Sequence, residues 1–337
     1  MRHPLLMALA AGALMVAVTG CGLAARGAGE LTIYSGRSRD LVEPLLNQFA
    51  EDTGIPIAVK YGDSTELALL LAEEGPRSPA DVFLSQSPGT VGFLAQQDLL
   101  ARLPDDVTAQ VPDAHRSADD RWVGVTARQR VLVYNRDDVA TRDLPTSVLD
   151  LTDPEHRGRV AVAPSNASFQ DFVTAMRQQV GDERTLAWLE GMAANGSPVY
   201  ANNNAIVEAV GRGEVPMGLV NHYYNERFLD ENPSLPSRNH RFADGDLGSL
   251  VIESSVSIMA ASDQREQGRE FVEYLLGETA QRYFAEETFE YPLVEGVDPA
   301  GDLPALSELE PPTVDVDALA GGFVGTQDMI ERSGIAD

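Results

Sequence analysis

The sequence predicts an α/β protein built from βα units around mainly parallel sheets, and three observations carry that expectation. From Leu31 onward, short apolar runs alternate with longer amphipathic ones, the pattern of strand and helix in turn. The chain has 337 residues, 43% of them hydrophobic, enough for one large two-lobed body or two ordinary domains, which excludes a disordered or collagen-like chain. Its single cysteine, Cys21, excludes a disulfide framework and a Cys-rich zinc site, so packing must hold the fold together.

In chain order, residues 31–34 form the first expected strand, and Leu41, Leu45, Leu46 and Phe49 then recur at helical spacing. Residues 55–60 are a second strand and 67–74 a second helix. A third strand, 80–84, closes in Ser85, Gln86, Ser87 and Pro88. Further strands are expected at 131–134, 160–163, 199–200 and 217–220, with helices between them. A long run at 250–260, containing Val, Ile and Ser, precedes two helical stretches at 265–276 and 279–287. No internal repeat is present.

The first residues follow a different pattern. Met1, Arg2 and His3 precede a charge-free apolar run, 5–18, which is shorter than the ~20 residues that span a bilayer. It ends in Val18-Thr19-Gly20-Cys21, which resembles a bacterial lipobox. That implies a signal peptide over 1–20, cleavage before Cys21 and lipid on its thiol and amine. Residues 21–29 then form a flexible tether, and the protein sits on the outer face of the cytoplasmic membrane. An uncleaved anchor with an incidental cysteine is the alternative.

Charge narrows the function classes. Asp and Glu number 52 against 25 Lys and Arg, a formal charge of −27, so a general nucleic-acid footprint would meet strong repulsion. Lys60 is the only lysine, which removes Schiff-base chemistry from every other position. The sequence contains no nucleophile elbow, phosphate loop, His-Glu-x-x-His or complete Gly-x-Gly-x-x-Gly. Most of the many carboxylates are surface charge.

Several loops at strand ends are rich in Ser, Gly, Asn or Gln: Ser35-Gly36-Arg37-Ser38, Ser85-Gln86-Ser87, residues 164–168, and Asn221-His222-Tyr223-Tyr224. In open α/β sheets ligands bind outside the carboxyl ends of strands, where helix N-termini also present free N–H groups. These loops are therefore the cleft candidates, with ordinary turn and cap chemistry as the alternative for any one of them. Tyr223 and Tyr224 are adjacent, so on a regular helix or strand they would diverge. They serve one site only at an irregular junction, here between the expected strand 217–220 and a helix-like 225–229. Phenolates suit a small, highly charged cation such as Fe(III), because a phenol with a pKa near 10 ionises only when a Lewis acid displaces its proton. A pair of half-buried aromatics bridging core and surface is the competing reading.

The stretch from 31 to about 334 resembles the ferric-ion-binding proteins of bacterial ABC importers, two-lobed type II solute-binding proteins. The resemblance rests on Leu31-Thr32-Ile33-Tyr34-Ser35-Gly36-Arg37, Ala80-Asp81-Val82-Phe83, residues 122–134, Pro164-Ser165-Asn166, Gly213-Glu214-Val215-Pro216, Asn221-His222-Tyr223-Tyr224 and Tyr291-Pro292-Leu293. Asn-x-Tyr-Tyr is the most specific of these. It implies Tyr223 and Tyr224 as iron-binding phenolates. A synergistic anion (carbonate, phosphate or citrate) would sit at Ser165, Asn166, Ala167, Asn203 and Asn221, with Arg128 lining the cleft alongside Arg37, Ser38, Gln86 and Ser87.

Ser38 and Gln86 stand where several members carry His and Glu, and Tyr34, Tyr61 and Tyr134 are the candidates for a third tyrosine. The resemblance also implies two α/β lobes with the ligand cleft between them. The first lobe is expected at 30–126, completed by about 251–300, and the second at 127–250, with C-terminal helices within 301–337 packed across. The expected function is capture of ferric iron and delivery to an ABC permease, by a monomer with no enzymatic role. The competitors are a solute-binding protein for a phosphonate, polyamine or thiamine, and a secreted hydrolase. A polyamine binder would show cleft carboxylates, and the candidate loops contain none.

Overall fold

The computed structural model describes residues 29–336; the expected leader, Cys21 and all of the tether but Gly29 lie outside the described residues. Strand β1 (Leu31–Ser35) leads into α1 (Arg39–Thr53), β2 (Ile57–Tyr61) into α2 (Ser64–Glu74), and β3 (Val82–Ser85) into α3 (Pro88–Gln96). A single turn, α4 (Asp105–Thr108), precedes the long β4 (Val123–Asn135). Next come β5 (Val160–Ala161), α5 (Ala167–Val180), α6 (Asp182–Ala194), α7 (Asn203–Gly211), β6 (Met217–Asn221), α8 (His222–Glu231) and β7 (Ser237–His240). The chain continues through β8 (Val251–Ile258), α9 (Arg265–Leu276), α10 (Glu278–Glu286), β9 (Tyr291–Pro292) and α11 (Val316–Ser333).

Local chemistry explains the helix ends. Helix α1 buries Leu41, Val42, Leu45, Leu46 and Phe49 and stops at Gly54, whose left-handed φ of 73° returns its N–H to the Ala50 carbonyl. Asp63, Asn166 and Asn202 cap α2, α5 and α7 by accepting from the N–H groups of Thr65, Ser168 and Ala205. Apolar cores fill both halves of the molecule. Leu31, Phe49, Val82 and Phe271 belong to one, and Phe172, Trp188, Met192 and Leu219 to the other.

The strands follow the order β2-β1-β3-β8-β4-β6-β5, with β7 and β9 also paired to β4. Among the described strands only β1–β2, β1–β3 and β5–β6 pair in parallel, so the mainly parallel sheet expected from the sequence is in fact mixed. The reason is that β4 and β8 cross between the two halves and pair antiparallel with each other and their neighbours. Residues 123–129 of β4 lie beside β8, and 130–134 lie beside β6. The strand expected at 131–134 therefore begins at Val123; the polar Arg128, Gln129 and Arg130 that interrupt its apolar run are buried where the halves meet. The strand expected at 199–200 is only a bridge, Val162 to Val199. Where C-terminal helices were expected within 301–337, the described residues hold one α-helix, α11, which packs on α3 in the first half and on α5 and α6 in the second.

Candidate metal centre

At the end of β6, Asn221 adopts an extended backbone (φ −90°, ψ 148°) that opens α8. The helix expected at 225–229 thus begins at His222, and Tyr223 and Tyr224 stand in its first turn rather than at an irregular junction. Their rings nevertheless stack, with centroids 4.1 Å apart and planes at 29°. Tyr223 is fully buried and its hydroxyl has no hydrogen-bond partner. Tyr224 Oη accepts a hydrogen bond from Gln86 Nε2 at 3.1 Å, from the loop after β3 in the opposite half. Burial first, and Tyr224 next, hold the Tyr223 hydroxyl well above the ordinary phenol range, while Arg37 and Arg128 pull it down. The positive end of the α8 dipole also favours a phenolate here.

Three buried guanidinium groups lie around the pair. Arg37 sits 5.8 Å from the Tyr223 ring centroid and pairs with Glu290 at 2.6 Å. Glu290 in turn accepts from the hydroxyls of Thr126 and Thr288, each at 3.0 Å. Burial, the largest single cause, opposes the Arg37 charge, yet Glu290, Tyr223 and Tyr224 together outweigh it and the net shift is upward. Arg128 and Arg130 are two residues apart on β4 and so share a face. Arg128 Nη2 donates to the carbonyls of Gln86 and Glu253. Arg130 Nη1 reaches Asn221 Oδ1 at 3.4 Å, and its guanidinium lies 5.4 Å from the Phe172 ring centroid. Burial lowers the pKa of both, that of Arg130 to about 9, and both keep their protons at neutral pH. Arg37 Nη1, Arg128 Nε and Nη1, Arg130 Nε and Nη2, and Asn221 Nδ2 are buried without partners. Fixed, charged donors in excess of acceptors are the chemistry of an oxyanion site.

His222 is adjacent to the tyrosines yet fully committed. Its Nδ1 accepts from the Gln129 N–H at 3.1 Å, and its Nε2–H donates to the Phe289 carbonyl at 2.8 Å. Burial keeps it neutral, with a pKa lowered to about 4, so it orients α8 rather than offering a lone pair. Among the described residues no group of three or more His, Cys, Asp or Glu side chains is gathered to hold a metal ion.

The remaining expected site residues divide. Gln86, Ser87, Asn203, Asn221, Arg37 and Arg128 are buried between the halves. Asn166 is also buried, but its Oδ1 caps α5 and accepts from Asn203 Nδ2 at 3.4 Å. Ala167 is buried as the first residue of α5, where a backbone N–H lacks a helical partner. Ser165 and Ser38 are exposed. Tyr34, Tyr61 and Tyr134 are engaged elsewhere: Tyr34 with Glu74, Tyr61 against Arg39, and Tyr134 on the second core. Sequence reasoning missed Arg130, Glu290, the committed role of His222 and the buried Asn225. Of these, only Arg130 had a local signal, its two-residue spacing from Arg128 on one strand.

Residues 77–320 match the family described as bacterial extracellular solute-binding protein. The chain is 34% identical over 290 residues to the Fe(3+)-binding periplasmic protein of Serratia marcescens, covering 85% of each chain. It is 30% identical over 313 residues to the major ferric iron-binding protein of Neisseria meningitidis serogroup B, covering 91% of this chain and 93% of that one. Its structure matches iron-bound HitA from Pseudomonas aeruginosa with a TM-score of 0.87 at 33% identity, over 90% of this chain and 99% of that one. From a two-lobed sheet crossed by β4 and β8, a buried tyrosine pair between the lobes and similarity along nearly the whole described chain, this protein belongs to the bacterial extracellular solute-binding proteins, in the company of the ferric-iron-binding ones.

Proposed function

We propose that this protein captures ferric iron outside the cytoplasmic membrane and delivers it to the permease of an ABC importer. One observation carries the reading. The buried Tyr223 hydroxyl, without a partner, stacks on Tyr224 among guanidinium nitrogens that also lack partners. A phenol buried in that state costs free energy, and a trivalent cation that takes its proton converts the cost into a strong, charge-matched bond. Tyr223 and Tyr224 are the protein's ligands to the iron. A small oxyanion such as carbonate, phosphate or citrate completes the shell and neutralises Arg128 and Arg130, with Asn221, Asn203, Asn166 and the start of α5 at Ala167 as further donors. The names of the relatives support iron as cargo, and the orphaned donors support the anion.

Lipid on Cys21 tethers the protein to the membrane, and the reading assigns it no reaction. A titration with Fe(III) in anion-depleted buffer, repeated with each anion and with Zn(II), tests the site. The expected result is an orange-red phenolate-to-iron band that needs Fe(III) and an anion. Absence of the band with every anion overturns the assignment. Cys21→Ser is expected to move the protein out of the membrane fraction; retention there would remove the lipid anchor from the reading.

A further inference from the structure

Besides the tyrosine site, a second polar contact joins the two halves. Asp171, on the second turn of α5, is 3% exposed although it carries a carboxylate. Its Oδ1 accepts from Ser87 Oγ at 2.6 Å, and Ser87 belongs to the opposite half, one residue after Gln86. Ser87 is the N-cap residue of α3 but makes no capping bond of its own, and its hydroxyl donates to Asp171 instead. The Gly89 backbone at the start of α3 lies against the same oxygen, while Asp171 Oδ2 is buried without a partner. The approach is close enough to need glycine: a Cβ at Gly89 would lie 2.6 Å from Asp171 Oδ1. Beside this contact, Gln170 Oε1 accepts from Thr65 Oγ1 at 3.0 Å, a second bond between the halves. Thus α5 begins with the expected anion-binding residues and, one turn on, grips the loop that supplies Gln86 to Tyr224.

We infer that Asp171 is an interlobe latch, a positioning residue that holds Ser87, the N-cap residue of α3, from the opposite lobe when the cleft is closed and thereby sets how long the cargo is held. The inference rests on the reading of the chain as a cargo-binding protein whose lobes close. The Ser87 bond to this carboxylate in a dry seam must be exchanged for water when the lobes part, so the latch slows opening. It touches neither tyrosine. Its loss should therefore change the rate of release without changing the metal's ligands.

The test compares wild-type protein with Asp171→Ala, Asp171→Asn and Ser87→Ala. Iron release to a competing chelator is followed by stopped flow, and lobe separation by small-angle scattering with and without iron. Asp171→Ala is expected to release iron at least tenfold faster and to populate a more open form. Its visible band and association rate should stay as in the wild type. Asp171→Asn, which keeps an acceptor for Ser87, should recover part of the loss, and Ser87→Ala should release faster than wild type. An unchanged release rate and unchanged lobe separation overturn the latch, and so does a shifted band, which would place Asp171 at the metal. If Asp171→Ala does not fold, Ser87→Ala decides by the same two readouts. Absence of any band in the wild type overturns the iron reading instead, and scattering of the same variants with phosphate then judges the latch alone.

Discussion

The two walls of the cleft differ in how they match buried charge. On the first-lobe wall, Arg37 is matched by Glu290, Glu290 by Thr126 and Thr288, Ser85 by Thr90, and Ser64 by the Gln86 N–H. Arg37 Nη1 is left over there, and on β8 so are Glu253 Oε2 and the Ser255 and Ser257 hydroxyls. Across from it, Arg130 has a single long bond to Asn221, the Tyr223 hydroxyl has none, and Asn225 is fully buried with both amide atoms unpartnered. Buried polar groups are ordinarily satisfied, so a cluster that is not marks a place where something else is to meet them. The charges of the first wall are largely matched as folded, whereas the unpartnered groups around Tyr223 gather where the proposed cargo would meet them.

The most forceful way to break this contrast is to change the tyrosines. Tyr223→Phe and Tyr224→Phe are each expected to lose the visible band and at least a thousandfold in iron affinity, about 4 kcal/mol. Unfolding free energy should move by less than about 1 kcal/mol for Tyr223→Phe, because its hydroxyl has no partner to lose. Iron titration and urea unfolding measure the two quantities. Variants that bind normally but unfold early would return the pair to the role of core aromatics.

The arginines give the next largest effect. Arg37→Met leaves Glu290 buried and unpaired and is expected to cost about 3 kcal/mol or more in urea unfolding. Arg130→Met removes a charge that has no carboxylate partner, so its stability should be unchanged or higher. Its iron affinity, by contrast, should no longer respond to added phosphate or carbonate. Equal losses of stability in the two variants would erase the difference between the walls.

Acid sharpens the comparison, because His222 and Asp171 both belong to the second half. Burial holds His222 at about 4 when folded, below its ordinary 6.5, so stability is lost as pH falls through that window. Burial raises Asp171 to about 7, so the folded state takes up a proton that the unfolded state does not, and stability is gained over nearly the same range. The two oppose each other in the wild type. Asp171→Asn removes the gain, and its stability is expected to fall by about 2 kcal/mol between pH 6.5 and 4.5 while the wild type stays flatter. Urea midpoints at four pH values decide it; parallel profiles would mean that one of these groups is not held as the structure describes.

The smallest expected effect belongs to the bond that links the walls. Gln86→Ala deletes the hydrogen bond to Tyr224 and should weaken iron binding about fivefold, near 1 kcal/mol, with the band retained.

What the sequence determined by itself is local. The apolar stripe over 265–276 specifies a helix with the bounds of α9, because helical period and side-chain burial act within a few turns. The Tyr223-Tyr224 pair after an apolar run was legible for the same reason. The tertiary structure decided which candidate loops converge. Gln86 came inside while Ser38 and Ser165 stayed exposed, and Arg37 found Glu290 across 253 residues of chain. It also ran β4 through three polar residues that look like the end of a strand, since their side chains are buried where the lobes meet and answer to the cleft rather than to a core. Short-range sterics and periodic hydrophobicity write the elements into the chain. The order in which strands cross between lobes depends on contacts closed over hundreds of residues, and no local pattern encodes it.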